Sequence, residues 1–301
     1  MRDLLLARDL AADGIDHNEL RQMRQRGEIR RIRRGAYSDS ADQPLLDEHR
    51  LLIRAAAAVT ESDSVVSFGS AGVLHDLPVE PDAYRRVHLT RKRNSGGRIR
   101  RGVHVHVAPL GDSEIVDLAG IPVTSLDRTF VDLARTTSLQ DGVAIGDAAL
   151  RRGMDMGSVT DQLEAANYRR GIRKARRVAS MLDIRSESVG ESRSRLVMIE
   201  QDLPRPELQV EFNGDDGFAA AVDFYWHEFD VIGEFDGKIK YGRLLRPGEE
   251  PGDAVFREKQ REDRLREMGF IVVRWTWDDL FTPGLLAARI RRAFALARRA
   301  H

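Results

Sequence analysis

Val222-Asp223-Phe224-Tyr225-Trp226 and, a short gap later, Asp230-Val231-Ile232-Gly233-Glu234-Phe235-Asp236-Gly237-Lys238 are two apolar runs with acids set into them. They read as two strands facing each other across a turn. Side chains alternate faces along a strand, so Glu234, Asp236 and Lys238 are expected on one face of the second run. Asp223 sits near the end of the first. Carboxylates gathered on one sheet face repel each other, and that cost is offset when a cation or substrate lies among them. The expectation is a divalent-metal site. The competing reading is an exposed sheet edge whose acids are solvated and paired with nearby arginines.

Working outward, Ser188-Val189-Gly190-Glu191-Ser192 opens a helix that buries Leu196 and Ile199. A strand follows over 207–212, and the Asn213-Gly214 and Asp216-Gly217 steps favour a hairpin into the Asp223 strand. Beyond Lys238, a Pro/Gly-rich loop (246–252) leads to a charged helix over 253–268. Gly269 precedes an apolar strand, 270–275, and a terminal helix follows Pro283. Trp226, Trp275 and Trp277 read as core or rim packing.

That order, helix, acid-bearing meander, helix, strand, is the core order of the restriction-endonuclease-like fold, αβββαβ. The residues carry the likeness further: Glu191 in a helix, Asp223-Phe224, Glu234-Phe235-Asp236-Gly237, then Arg261-Glu262-Asp263-Arg264-Leu265 with Gly269. The block from 186 to 301 resembles the Vsr-like branch of the PD-(D/E)xK nuclease superfamily. The resemblance implies Mg²⁺ (or Mn²⁺) held by Asp223, Glu234 and Asp236, with Glu191 completing the shell and Lys238 as the amine. Carboxylate oxygens suit a hard divalent ion, which polarises a phosphoryl oxygen and activates water. A lysine beside it stabilises the charged phosphorane. The register departs from the pattern in one respect: counted from Glu234, the lysine position holds Asp236, whereas counted from Asp236, Lys238 completes D-x-K. Lys259, Gln260 and Arg261 on the following helix are further groups expected near the site.

At the other end of the chain, apolar residues from Leu4 to Ala11 recur at helical spacing up to Gly14. Asp16 with Glu19 opens a second helix in capping-box fashion, with Leu20 and Met23 inward. The run Glu28–Tyr37 reads as a β-ribbon. From Arg21 to Arg34 there are seven arginines and one acid. Helix, turn, basic helix and basic ribbon is the plan of a winged helix-turn-helix. Its candidate phosphate contacts are Arg21, Arg24, Arg30, Arg31, Arg33 and Arg34. The alternative is a solvated charged face. The run LLARDLAADGIDHNELRQMRQRGEIRRIRRGAYSD resembles the N-terminal region of AbiEi-type antitoxins from bacterial type IV toxin–antitoxin systems.

Between these blocks, SFGSAGVLHDLP (67–78) and the segments around Val87–Thr90, Val103–Leu110 and Ile121–Arg135 resemble the middle region of the same family. Phe68 and Asp76 replace a histidine and a glycine of its usual pattern. Residues 84–101 hold eight basic side chains and no acid, which suits a phosphate-tracking arm or a charged loop equally. His104 and His106 have metal-ligand spacing on one strand face, but no third ligand stands beside them, so an ordinary sheet surface is expected. Thr124-Ser125-Leu126 opens a capped core helix, and no nucleophile elbow occurs.

Composition bounds these readings. The chain has 301 residues, 42% hydrophobic and 32% charged, with 48 basic and 48 acidic side chains and no cysteine. Cysteine nucleophiles, thiolate metal sites and disulfides are excluded. No signal-peptide core or spanning run occurs, so a cytoplasmic, membrane-free protein is expected. Arg in place of Lys, with abundant Ala, points to a GC-rich bacterial genome. The expected class is a multidomain α+β or α/β protein: a winged helix (1–45), a mixed α/β middle region (46–185) and a nuclease-like domain (186–301). Two functions follow from the resemblances. One is a DNA endonuclease guided to double-stranded DNA by the winged helix. The other is an antitoxin and transcriptional autorepressor, partnered by a cognate toxin protein, whose nuclease-like domain is inert. A homodimer is compatible with either.

Overall fold

In a computed structural model, the structure describes residues 4–41, 43–60, 63–92, 96–100, 102–213, 219–237 and 251–300. The chain is a mixed α/β protein with three sheets among the described residues, divided into two compact units, Met1–Met181 and Leu182–His301. Among the described residues no helix is long and apolar enough to cross a membrane.

The first unit begins with β1 (Leu5–Leu6), α1 (Ala7–Ala12), α2 (His17–Gln25), β2 (Arg30–Arg33) and β3 (Ala36–Ser38). The Asp16 carboxylate accepts the Asn18 and Glu19 N–H groups at 2.8 Å, satisfying donors that α2 leaves open. Gly35, at φ +81°, turns β2 back into β3, and β1 pairs on the far side of β3 in the order β1-β3-β2. Leu5 and Leu6 are therefore strand residues, where helical spacing alone extends the first helix over them: pairing with Tyr37 and Ala36 satisfies their backbone instead. Leu10, Leu20, Ile29 and Tyr37 form the small core beneath.

The rest of this unit is α3 (Leu45–Val59), β4 (Ser64–Val66), α4 (Phe68–Leu74), β5 (Val87–Arg91), β6 (Arg98–Arg100), β7 (Val103–Val107), β8 (Ile115–Leu118), β9 (Ile121–Thr124), α5 (Leu126–Thr136), α6 (Leu139–Arg151), α7 (Met156–Ala165) and α8 (Ile172–Ala179). Its six strands lie in the order β6-β7-β5-β4-β9-β8, with β5 parallel to β7 and β4 parallel to β9. Ser125 caps α5, whose Phe130, Val131, Leu133 and Ala134 are buried. The buried Arg128 guanidinium donates to Asp132 Oδ2 (2.9 Å) and Glu114 Oε1 (2.8 Å), so its charge is paired where little water reaches it.

The second unit runs α9 (Val189–Glu200), β10 (Glu207–Asn213), β11 (Ala219–Trp226), β12 (Val231–Phe235), α10 (Pro251–Glu267), β13 (Ile271–Trp275), α11 (Trp277–Leu280) and α12 (Pro283–Ala300). Its sheet has the order β10-β11-β12-β13, antiparallel across the first two ladders and parallel across the last. One face packs Phe224, Trp226, Val231, Phe235 and Trp275 against α12 residues Leu286, Ile290 and Phe294. The other packs Tyr225 and Ile232 with Leu265 of α10. Trp226 and Trp275 are core residues whose indoles donate to Pro204 O and Ser194 Oγ, which removes the cost of burying the N–H.

Two close approaches require glycine here. A Cβ on Gly190 would lie 1.9 Å from Phe235 Cε1, and one on Gly233 would lie 2.6 Å from the Trp275 ring. The second residue of α9 thus seats directly on the end of β12.

Candidate functional site

Two acids of the second unit, Glu191 and Asp223, meet where the strands change faces. Residues two apart on a strand normally share a face. In β10, however, Leu208 packs with Phe224 and Trp226, whereas Val210 and Phe212 pack in the opposite core. Gln209, between them, has the left-handed φ of +52°, uncommon without glycine, and it drops out of the ladder opposite Asp223. β11 makes the same change of face, with Ala220 and Val222 on one side and Phe224 and Trp226 on the other. Gln209 and Asp223 are the crossover.

The ladder between β11 and β12 ends at Phe224 and Gly233. Past that point Asp223 takes over the pairing with its side chain: Oδ2 accepts the Phe235 N–H at 2.9 Å. The Gln209 amide donates to Glu191 Oε2 (3.0 Å) and reaches Asp223 Oδ1 at 3.5 Å, which brings the two carboxylates onto one nitrogen. Glu191, 4% exposed, also accepts from Glu187 N–H and Ser188 Oγ, while Ser188 Oγ caps Glu191 N–H in return. This reciprocal cap fixes the glutamate in a site that would otherwise repel it.

Glu234 has different company. Its Oε1 accepts from Arg261 Nη2 at 2.6 Å, and its Oε2 pairs with Arg274 Nη2 at 2.9 Å. Arg274 in turn reaches Glu262, and Arg261 also donates to Ala221 O. A carboxylate only 7% exposed is thereby neutralised by two guanidinium groups of the protein itself. Asp236 lies just past β12, its N–H bonded to Trp275 O. Lys238 lies outside the described residues. Of the three helix groups expected nearby, Arg261 does reach an acid of the site.

The six arginines of the first unit divide by environment. Arg30 donates to both Glu48 oxygens (2.8 and 2.6 Å) and to Ser40 O, so it ties the ribbon to α3. Arg33 is half-buried, one guanidinium nitrogen lacks a hydrogen bond, and burial lowers its pKa. Arg21, Arg24, Arg31 and Arg34 are exposed and have no acidic partner among the described residues. Arg26, between them, is paired with Glu28.

Among the described residues, one group of three metal-ligating side chains gathers its atoms within 4.8 Å: His88, His104 and His106. The two histidines of β7 were legible as an HxH pair. Their third member comes from β5, which pairs His88 directly beside His104. A histidine at the same strand position in VHLT and VHVH was the available signal, but adjacency of those strands is not a local property.

No family model matches the chain. The uncharacterized proteins MT2308 and Rv2248, from two strains of Mycobacterium tuberculosis, are each 33% identical over 242 residues, covering 79% of this chain and 83% of theirs. Among solved structures, that of the RV2827C protein from M. tuberculosis is similar with a TM-score of 0.42 and 15% identity, over 59% of this chain and 71% of that one. At 33% identity over 79% of its length, the chain belongs to the same family as the uncharacterized M. tuberculosis protein Rv2248.

Proposed function

We propose that this protein is a DNA-binding protein whose second unit is a metal-dependent endonuclease acting on double-stranded DNA. In this reading residues 1–45 are a winged helix-turn-helix, 46–185 an AbiEi-like middle region, and 186–301 a restriction-endonuclease-like domain of αβββαβ core. The observation that carries it is the meeting of Glu191 and Asp223 on the Gln209 amide, at the point where β11 and β12 part. A helical glutamate and a strand aspartate beside a gap in a sheet form an oxygen-only donor set, which suits Mg²⁺ or Mn²⁺. Asp223 and Glu191 would hold the ion, which would supply Lewis acidity at the phosphoryl oxygen; Asp236 would have to move to join them, because among the described residues only the histidine trio gathers three ligating atoms within 4.8 Å. Glu234 would join them only by giving up an arginine.

DNA recruitment in this reading falls to Arg21 and Arg24 on α2 and to Arg31 and Arg34 on the ribbon, the exposed set with no acidic partner among the described residues. Neutralising phosphates releases counterions, so binding weakens steeply with salt.

The Arg261–Glu234–Arg274 arrangement favours a second reading. Protein cations already offset that carboxylate, as expected of an inert nuclease-like domain in an autorepressor with a toxin partner. Incubating the purified chain with supercoiled plasmid and Mg²⁺ or Mn²⁺ separates the two. Nicking or linearisation that disappears in Asp223→Ala supports the endonuclease. Intact plasmid with either metal, alongside salt-sensitive duplex binding, supports the repressor.

A further inference from the structure

The histidine cluster of the first unit lies outside that reading. His88 stands on β5, and His104 and His106 on β7, which runs parallel beside it; His88 is the register partner of His104, and Thr90 of His106. All three side chains rise from one face of the two strands. His88 Nδ1 and His106 Nε2 are 2.9 Å apart and share one hydrogen bond. The His104 and His106 rings lie 3.9 Å apart by centroid, and His88 is 5.2–5.3 Å from both. Phe68, in the left-handed region at φ +50°, lays its ring against His106 at 3.9 Å and closes one side.

We propose that His88, His104 and His106 form a binding site for one borderline first-row transition ion of the Zn²⁺ type. Two histidines separated by one residue on a strand, with a third on the neighbouring strand, place three nitrogens on one side of a sheet. That leaves a fourth position for water or a ligand, the pattern of an open rather than a closed zinc site. Nitrogen donors without a carboxylate select Zn²⁺, Co²⁺, Ni²⁺ or Cu²⁺ over Mg²⁺, Ca²⁺ or Mn²⁺. The ion therefore differs in class from the one proposed for the second unit.

The protonation state agrees with this. Burial, then the neighbouring histidines, lower His88 to about 4 and His106 to about 3, and burial with Arg86 lowers His104. Arg86 acts on His88 and His104, Arg135 on His106, and His49 on His88, each opposing a charged imidazole. Neutral rings are the ligating form. The proton shared by His88 and His106 sits on one ring nitrogen. Moving it to the other nitrogen of that ring frees both facing atoms for an ion, and no net proton is released.

The test uses the full chain without a polyhistidine tag, stripped of metal, with Co²⁺ as the probe. With excess Mg²⁺ present to hold any carboxylate site, the expected result is uptake of one Co²⁺ per chain, with the intense visible d–d absorption of a low-coordinate ion. Zn²⁺ should displace it and Mg²⁺ should not. His104→Gln, which removes one of the three ligands, should weaken uptake by more than about a hundredfold, beyond the roughly 10–100-fold that an outer-shell change costs. Absence of uptake by the wild type overturns the proposal, as does uptake that persists undiminished in both His104→Gln and His106→Gln.

Discussion

Glu234 and Arg274 are register partners across the parallel ladder of β12 and β13, and their side chains pair at 2.9 Å. Arg261, from α10, closes on the other oxygen of the same carboxylate. Removing one cation leaves a nearly buried charge half-compensated. Arg274→Met should therefore cost roughly 2–4 kcal/mol in urea unfolding of the second unit, whereas the Glu234→Gln/Arg274→Met double change should cost less than the sum of the two. Additive losses would mean that the pair does not interact.

The Gln209 amide keeps Glu191 and Asp223 from facing each other directly. Gln209→Glu would put a third carboxylate between them. Thermal unfolding at pH 7 should show a loss that shrinks as pH falls through the carboxylate range, because protonation removes the repulsion. Added Mg²⁺ should restore stability at pH 7 if these oxygens hold an ion. A loss indifferent to both pH and Mg²⁺ would place the defect in packing alone.

Gly190→Ala should destabilise the second unit by about 1–3 kcal/mol, since the new methyl group falls inside the Phe235 ring and that ring is wedged in the core. Displacing Phe235 also disturbs the N–H that Asp223 accepts. Urea denaturation followed by tryptophan fluorescence reads the effect.

Arg30 and Arg31 are neighbours with separable roles. Arg30→Ala should lower stability by breaking the tie to Glu48, with only secondary loss of duplex affinity. Arg31→Ala should leave the melting temperature unchanged and reduce the slope of log affinity against log salt by about one. Equal salt slopes for Arg31→Ala and the wild type would remove Arg31 from the DNA-facing set.

Acid should weaken the first unit. His49, His88 and His106 all have folded pKa values below the ordinary histidine value, from burial first. The unfolded chain thus binds more protons than the folded one below about pH 6.5. The contribution to stability is complete above that pH and declines as pH falls toward about 4 and then about 3, the values for His88 and His106. Melting temperature followed across this range in wild type and His106→Gln should show a shallower fall in the variant.

Local chemistry was legible in the sequence wherever one or two turns of chain decide it. Asp16, Ser125 and Ser188 announced their helices because a cap bonds to N–H groups two or three residues on. The ribbon at Gly35 and the core roles of Trp226 and Trp275 followed from turn chemistry and apolar pattern. So did the presence of Glu191, Asp223 and Glu234 among apolar elements. Only the tertiary structure decided how those acids divide. Glu191 joins Asp223 through a left-handed Gln209, while Glu234 takes cations from α10 and β13, and neither outcome depends on residues near in the chain. The histidine triad shows the same limit, because it exists through the parallel pairing of β5 with β7. Short-range hydrogen bonds and side-chain periodicity are written along the chain; the register between strands distant in sequence is set by burial of both sheet faces at once, and that register brought the charges and imidazoles together.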